Sequence, residues 1–127
     1  MIRRTLLSLA LFVGLAAPAP SGPLDAELHF ALSRSSPEAG ASAESPSEIR
    51  LWFTEVPEAK TTSIRLIGSD RDAIDTGDVS QDERDGRSFS VALEHVLSAG
   101  TYTVSWRAMG DDGHVVRDSY EFTVVAQ

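Results

Sequence analysis

The chain has 127 residues, a formal net charge of −8 and no cysteine. This length suits one domain, and the absence of thiols excludes disulfides and thiolate metal sites. The acidic excess argues against nucleic acid and anionic membranes as partners.

The first residues are typical of an export signal. Arg3 and Arg4 precede an apolar run at residues 5–17, and prolines and small residues follow. This order predicts a secretory signal peptide, and the run is shorter than the ~20 residues of a membrane span. We therefore expect a signal peptide and short leader over residues 1–26, cleaved somewhere between 21 and 28, and one domain over residues 27–127.

The first half of the domain predicts two strands separated by a loop. Residues 28–32 form a short strand-like run, and residues 33–46 are rich in Ser, Ala, Pro and Gly, which is typical of an irregular loop. Residues 47–54 alternate with a period of two, as a half-buried strand does. The apolar members of that strand are Ile49, Leu51 and Phe53. Pro57 prevents its continuation as a central strand.

The middle of the chain predicts further short strands. Residues 61–67 form one, and residues 73–80 are weakly patterned and suit a short edge strand. The Asp85-Gly86 pair is typical of a two-residue hairpin turn, after which residues 87–93 alternate again.

Two strands close the chain on either side of a polar link, residues 110–114. Their apolar alternation runs through Tyr102, Val104 and Trp106, and then through Tyr120, Phe122 and Val124. About seven short strands without a helical period predict an all-β sandwich. Tyr102 follows a turn, as the tyrosine corner of immunoglobulin-like sandwiches does; an ordinary buried tyrosine is an equal alternative.

The candidate chemistry is limited to a few side chains. No G-x-S-x-G motif occurs, and the adjacent Asp111 and Asp112 face opposite ways in extended chain, so the sequence predicts no enzyme. Asp112 and His114 are two apart and project to one side. An oxygen and an imidazole suit divalent copper, nickel or zinc, although most such pairs are ordinary surface residues. His95 is expected to be an exposed strand-end histidine.

Four spaced motifs along the chain support a more specific interpretation than the Asp112–His114 pair does alone. They are His29-x2-Leu32-x2-Ser35-x-Pro37 with Gly40, Pro46-x2-Ile49-x-Leu51-x-Phe53-x-Glu55, Leu97-x2-Gly100-x-Tyr102-x-Val104-x-Trp106-Arg107, and Asp112-Gly113-His114 with Phe122-x-Val124. In these motifs, which cover the chain after the leader, it resembles the CopC family of periplasmic copper-resistance proteins.

The resemblance implies an immunoglobulin-like Greek-key β-sandwich that binds one Cu(II) ion at its end, in the periplasm. It implies His29, Asp112 and His114 as metal ligands, and Glu55 close beside them. It assigns packing and positioning roles to Trp106 and Arg107. A CopD-like inner-membrane copper transporter is the implied partner, with no nucleic acid and no membrane insertion of the mature domain.

This sequence differs from the family in the amine of His29. In the family the ligand histidine is the first residue of the mature protein. Here Glu27 and Leu28 precede it, and cleavage after Ser21 or Ala26 suits the small-residue preference better. His29 would then lack a free amine, leaving a weaker site of two imidazoles and a carboxylate.

Three functions follow from these observations. The first is a protein that sequesters Cu(II) or delivers it to a transporter. The second is a copper-free immunoglobulin-like interaction module in the periplasm. A copper-dependent oxidase is a distant third.

Overall fold

The computed structural model describes Gly14 and residues 29–126. The predicted signal peptide and leader lie outside the described residues, apart from Gly14. The described residues form nine strands: β1 (Leu32–Ser36), β2 (Ser42–Ala43), β3 (Glu48–Phe53), β4 (Ser63–Ile67), β5 (Ala73–Ile74), β6 (Ser80–Gln81), β7 (Ser88–Ala92), β8 (Gly100–Met109) and β9 (Val115–Val124). No helix in this part of the chain is long and apolar enough to cross a membrane.

The strands form two sheets, in the orders β1-β3-β7-β6 and β2-β9-β8-β4-β5. The pairings are antiparallel except that of β2 with β9, which is parallel. The two longest strands, β8 and β9, pair along their whole length, from Gly100 opposite Val124 to Met109 opposite Val115. The predicted all-β immunoglobulin-like sandwich is confirmed.

The inner faces of both sheets make one core. Phe53 lies at its centre, with ring centroids 5.0 Å from Phe30, 5.2 Å from Trp106 and 5.9 Å from Phe89. The predicted apolar face of β3 is buried, since Ile49, Leu51 and Phe53 are at most 2% exposed. Burial of each such side chain contributes about 1.5–3 kcal/mol relative to its exposure, and this core holds the ends of β8 and β9 in fixed register.

The structure corrects the start of the predicted domain. The first strand of the described residues is Leu32–Ser36. Residues 29–31 of the predicted strand at 28–32 lie before it, and residue 28 is outside the described residues. The predicted loop at 33–46 contains most of β1 and all of β2. β1 is an edge strand held by backbone pairing with β3, for example Ser35 opposite Leu51. Its side chains are mostly polar, and only one of them, Ser35, is buried. The strand therefore lacks the alternation of apolar residues that would have predicted it.

The middle of the chain also differs from prediction. Residues 73–80 are not one edge strand: Ala73–Ile74 pairs with β4, whereas Ser80–Gln81 pairs with β7 in the other sheet. The predicted hairpin exists between β6 and β7, but its connection spans residues 82–87. The carboxylate of Asp82 accepts the backbone N–H groups of Arg84 and Asp85, which stabilises the longer loop.

Tyr102 forms the tyrosine corner. Its side chain is buried, stacks on Phe122 with centroids 5.7 Å apart, and its hydroxyl donates to the backbone carbonyl of Ser98 at 2.6 Å. Of the two alternatives for this residue, the tie to the upstream backbone is the one that the structure supports.

Candidate metal centre

The link between β8 and β9 is a tight, exposed turn. Gly110 N–H donates to the carbonyl of His114 at 3.1 Å, and Gly113 N–H donates to the carbonyl of Gly110 at 3.0 Å. Gly113 has φ +82°, a left-handed conformation that glycine adopts without steric cost. Asp112 and His114 therefore project from a turn of defined shape rather than from an extended segment.

Asp112 contacts His114 twice. Its Oδ1 accepts the backbone N–H of His114 at 3.0 Å, and its Oδ2 lies 2.9 Å from the ring Nδ1. The two side chains lie on the same side, but they do so through the turn and not through the extended segment on which the prediction rested. The side chains of Asp112 and His114 are 63% and 85% exposed. Oδ2 and Nδ1 face each other, so an ion that takes the place of the proton between them can contact both atoms.

The contact shifts both titrations. The hydrogen bond that the ring donates to Asp112, together with the charge of that carboxylate, raises the pKa of His114 above the ordinary 6.5. The hydrogen bonds from the ring and backbone of His114 lower the pKa of Asp112 below 3.8. In the metal-free protein the carboxylate thus fixes the orientation of the ring and holds Nδ1 beside a second donor atom.

Glu55 lies at the base of the same link. A Cβ placed on Gly110 would sit 3.1 Å from Oδ1 of Asp112, 3.3 Å from Cβ of Phe30 and 3.4 Å from Oε1 of Glu55. Two carboxylates and the first aromatic residue of the core thus converge on Gly110, whose lack of a side chain makes room for them. The negative charge they concentrate favours a cation at this rim.

The main chain of His29 is held at this rim. Its carbonyl accepts a hydrogen bond from Oγ1 of Thr54 at 3.1 Å, and that same Oγ1 accepts the backbone N–H of Ala31 at 3.0 Å. Thr54 precedes Glu55, and Phe30, next to His29, packs beside Gly110. The side chain of His29 is exposed.

The three predicted ligands are not assembled into one cluster. Among residues 29–126 no group of three or more His, Cys, Asp or Glu side chains is arranged to hold a metal. Asp112 and His114 are together, Glu55 lies below them, and His29 shares the rim through its backbone. The roles of Thr54, Phe30 and Gly110 could not be predicted from the sequence, because their contributions come from packing and backbone contacts.

Other candidate residues lie elsewhere. His95 is exposed in the connection that precedes β8, whereas the link follows β8. Because β8 has ten residues and an antiparallel strand rises about 3.4 Å per residue, His95 is at the opposite end of the sandwich. Trp106 packs in the core as expected, but Arg107 is exposed on the outer face and takes no part in that packing.

The donor types at the rim suit copper. Imidazole and carboxylate ligands without sulfur fit divalent copper, which binds most tightly in the first-row series. The full chain contains two methionines, one of them Met1, so a site built from several thioethers cannot form.

A family model described as the CopC domain matches residues 32–125. The chain belongs to the CopC family. The match includes Glu55, Asp112 and His114, and it begins after His29. CopC membership also accounts for the motif spacing seen in the sequence.

Similar proteins include several with copper in their names. Copper resistance protein C of Xanthomonas campestris pv. juglandis is 32% identical over 101 residues, covering 76% of this chain and 80% of the relative. Protein YobA of Escherichia coli K12 is 32% identical over 97 residues, covering 76% and 78%.

Two solved structures share the fold. CopC from Methylosinus trichosporium OB3b has a TM-score of 0.68 and 30% identity over 76% of this chain and 93% of its own. PcoC from Escherichia coli, described as a methionine-rich copper resistance protein, has a TM-score of 0.69 and 29% identity over 76% and 99%. This chain lacks that richness in methionine.

Proposed function

We propose that this protein is a periplasmic copper-binding protein that holds one Cu(II) ion at the rim formed by the β8–β9 link. His29, Asp112 and His114 bind the metal, and Glu55 lies beside them and contributes charge. The protein sequesters the ion or delivers it to a CopD-like inner-membrane transporter, and copper is its cargo rather than a catalytic cofactor.

The contact between Asp112 and His114 carries this proposal. It holds a carboxylate oxygen and an imidazole nitrogen side by side at an exposed position, and the family relatives named for copper resistance supply the choice of metal. The exposed position of the pair suits a cargo site, because an ion that must be passed on needs an accessible coordination sphere.

His29 completes the site by a movement of its side chain. Its backbone is tied to Thr54, so only side-chain torsions and the segment before it need to adjust. If residue 29 also carries a free amine in the mature protein, amine and imidazole form a chelate whose ring is closed by covalent bonds, which reduces the ordering entropy that opposes binding.

A competition titration with a chromophoric Cu(II) chelator tests the proposal. The protein is expected to bind one Cu(II) ion with a Kd below micromolar, and His114→Ala is expected to weaken binding by at least about tenfold, the size of effect seen when ligand environments are altered. His95→Ala, at the opposite end of the sandwich, is the matched control and should bind as the wild type does. A Kd weaker than micromolar, or equal effects of the two substitutions, would refute the proposal.

A copper-free interaction module is the second candidate. The observation that favours it is that the described residues do not preassemble three ligands. Affinity capture from a periplasmic extract, with and without added Cu(II), separates the two functions. A partner retained equally in both conditions, by a protein with no tight copper site, supports the module.

A further inference from the structure

Three arginines gather on the outer face of the second sheet, in a protein with a net charge of −8. Arg107 of β8 lies directly opposite Arg117 of β9, and on its other side it faces Ser63 of β4. One register step along, Arg65 faces Ser105. All three arginines are exposed. Arg65 and Arg107 stand between buried residues of their strands, and Arg117 is on the same face as its cross-strand partner Arg107. We call Arg65, Arg107 and Arg117 the arginine face.

These arginines have no carboxylate partner among the described residues. The ion pairs of Arg50 and Arg87 lie on the other sheet, and no Asp or Glu oxygen of residues 29–126 lies within 4.0 Å of the arginine face. Lys60 adds a fourth cation beside Arg107. Like charges directly opposite each other on neighbouring strands destabilise a sheet, so the pairing of Arg107 with Arg117 lowers the folding stability of the ligand-free protein.

The arginine face borders a shallow cleft. A volume of about 240 Å³ is lined by Ser63, Ser105 and the three arginines, together with Trp106. Guanidinium groups donate in a planar fork that matches oxyanions, and serine hydroxyls between them can donate as well. The register thus places donors from three strands around one space.

We propose that the arginine face is a binding site for a phosphoryl group. A carboxylate offers two acceptor oxygens, whereas a phosphoryl group offers three or more and carries up to two negative charges, which matches donors that converge from β4, β8 and β9. Binding would neutralise the repulsion between Arg107 and Arg117. The same chemistry could come from soluble phosphate or from the phosphomonoester headgroup of phosphatidic acid.

The arginine face is separate from the candidate metal centre. Arg107 and Arg117 project from the outer face of the sheet, two residues before and two residues after the ends of the paired strands at Met109 and Val115. No residue of the arginine face is a proposed copper ligand. The site can therefore be tested in metal-free protein, and its failure would not affect the proposed copper function.

Titration of the metal-free protein with inorganic phosphate, followed by the Nε–Hε NMR signals of arginine, tests the site. Saturable shifts are expected for Arg65, Arg107 and Arg117, and the double variant R107T/R117T should bind at least about tenfold more weakly, since each tenfold loss corresponds to about 1.4 kcal/mol and charged hydrogen bonds contribute that much or more. Arg84→Ala, an exposed arginine of the β6–β7 loop, is the matched control. In low salt without phosphate, R107T/R117T should melt no lower than the wild type, which shows that it is folded.

A second experiment, with lipid vesicles, identifies the source of the phosphoryl group. Cosedimentation with vesicles containing phosphatidic acid, lost in R107T/R117T and absent with phosphatidylcholine alone, assigns the site to a lipid headgroup, whereas binding of phosphate alone assigns it to a soluble ligand. Either result supports a phosphoryl site. Shifts reproduced by sodium chloride at equal ionic strength, binding unaffected by R107T/R117T, or tighter binding of polyglutamate than of phosphate and vesicles would overturn it.

Discussion

Oδ2 of Asp112 lies 2.9 Å from Nδ1 of His114, in a turn whose middle residue is Gly113. The carboxylate is acceptor to both the ring and the backbone of the same histidine. One residue therefore fixes where the imidazole is and holds a carboxylate oxygen beside its ring nitrogen. An ion that replaces the proton between these two atoms meets both donors at once.

The raised pKa of His114 predicts a pH dependence of copper binding. Because Cu(II) must displace the proton of the ring, affinity should fall as pH drops through the pKa of His114, and this fall should begin above pH 6.5. Asp112→Asn removes the hydrogen bond to a charged acceptor and should lower the pKa of His114. Proton NMR of the His114 ring in metal-free protein measures both values, and an equal or higher pKa in D112N would contradict the account.

The shifted pKa values of His114 and Asp112 make the stability of the folded protein depend on pH in opposite directions. The raised pKa of His114 gives stability that is present below 6.5 and is lost as pH rises through the folded value. The lowered pKa of Asp112 gives stability that is present above 3.8 and is lost as pH falls through the folded value. The stabilisation from the pair is therefore greatest between these two ordinary values, and it is small because both side chains are exposed.

We expect the backbone conformation of Gly113 to influence both stability and copper binding. Its φ of +82° disfavours a Cβ, so Gly113→Ala should cost about 1–2 kcal/mol of folding free energy or distort the turn. Either outcome separates Asp112 from His114 and weakens copper binding. Gly113→Asn is the matched control, because asparagine visits this conformation more readily than alanine. Urea unfolding and the chelator competition measure the two effects, and equal behaviour of the two variants would contradict this explanation.

The tyrosine corner gives a prediction about stability alone. Tyr102→Phe removes the hydroxyl that donates to Ser98 and should lower the free energy of unfolding by about 0.5–1.5 kcal/mol. Tyr120→Phe is the control. By distance and angle, the buried hydroxyl of Tyr120 has no hydrogen-bond partner within the described part of the chain, so its loss should be neutral or stabilising. A larger loss in Y120F than in Y102F would be inconsistent with these contacts.

The central position of Phe53 leads to a prediction about the free energy of unfolding. It is 2% exposed and contacts three aromatic rings, so Phe53→Ala should cost about 3–5 kcal/mol. Val96, which is 82% exposed, offers a matched truncation, and Val96→Ala should change stability by less than about 0.5 kcal/mol. Urea denaturation compares them, and a cost below 1 kcal/mol for F53A would contradict the central position of this ring.

The strands with one buried face were predictable from sequence. β3, β7, β8 and β9 bury alternate apolar residues, and that period of two is visible in the residues themselves. β1, β2 and β6 were not predictable, because they are short or polar and are held by backbone hydrogen bonds to a neighbouring strand. Edge strands of this kind leave little trace in side-chain pattern.

The candidate site was predictable only in part. Asp112 and His114 are close in sequence, so spacing indicated that they project to one side, but it did not indicate their hydrogen bond, which depends on the turn at Gly113. The approach of His29 to the same rim depends on Thr54 and Phe30, which act through a hydroxyl bridge and ring packing that follow from the tertiary fold. The position of Arg107 on the outer face was likewise settled by the strand register.

The central claim is that His29 and His114 bind the same copper ion. Pulsed electron spin resonance of the Cu(II)-loaded protein counts the imidazoles coupled to the metal, and comparison with His29→Ala and His114→Ala assigns them. We predict two coupled imidazoles in the wild type and one in each variant. A single imidazole in the wild type, or a spectrum unchanged by His29→Ala, would contradict the account.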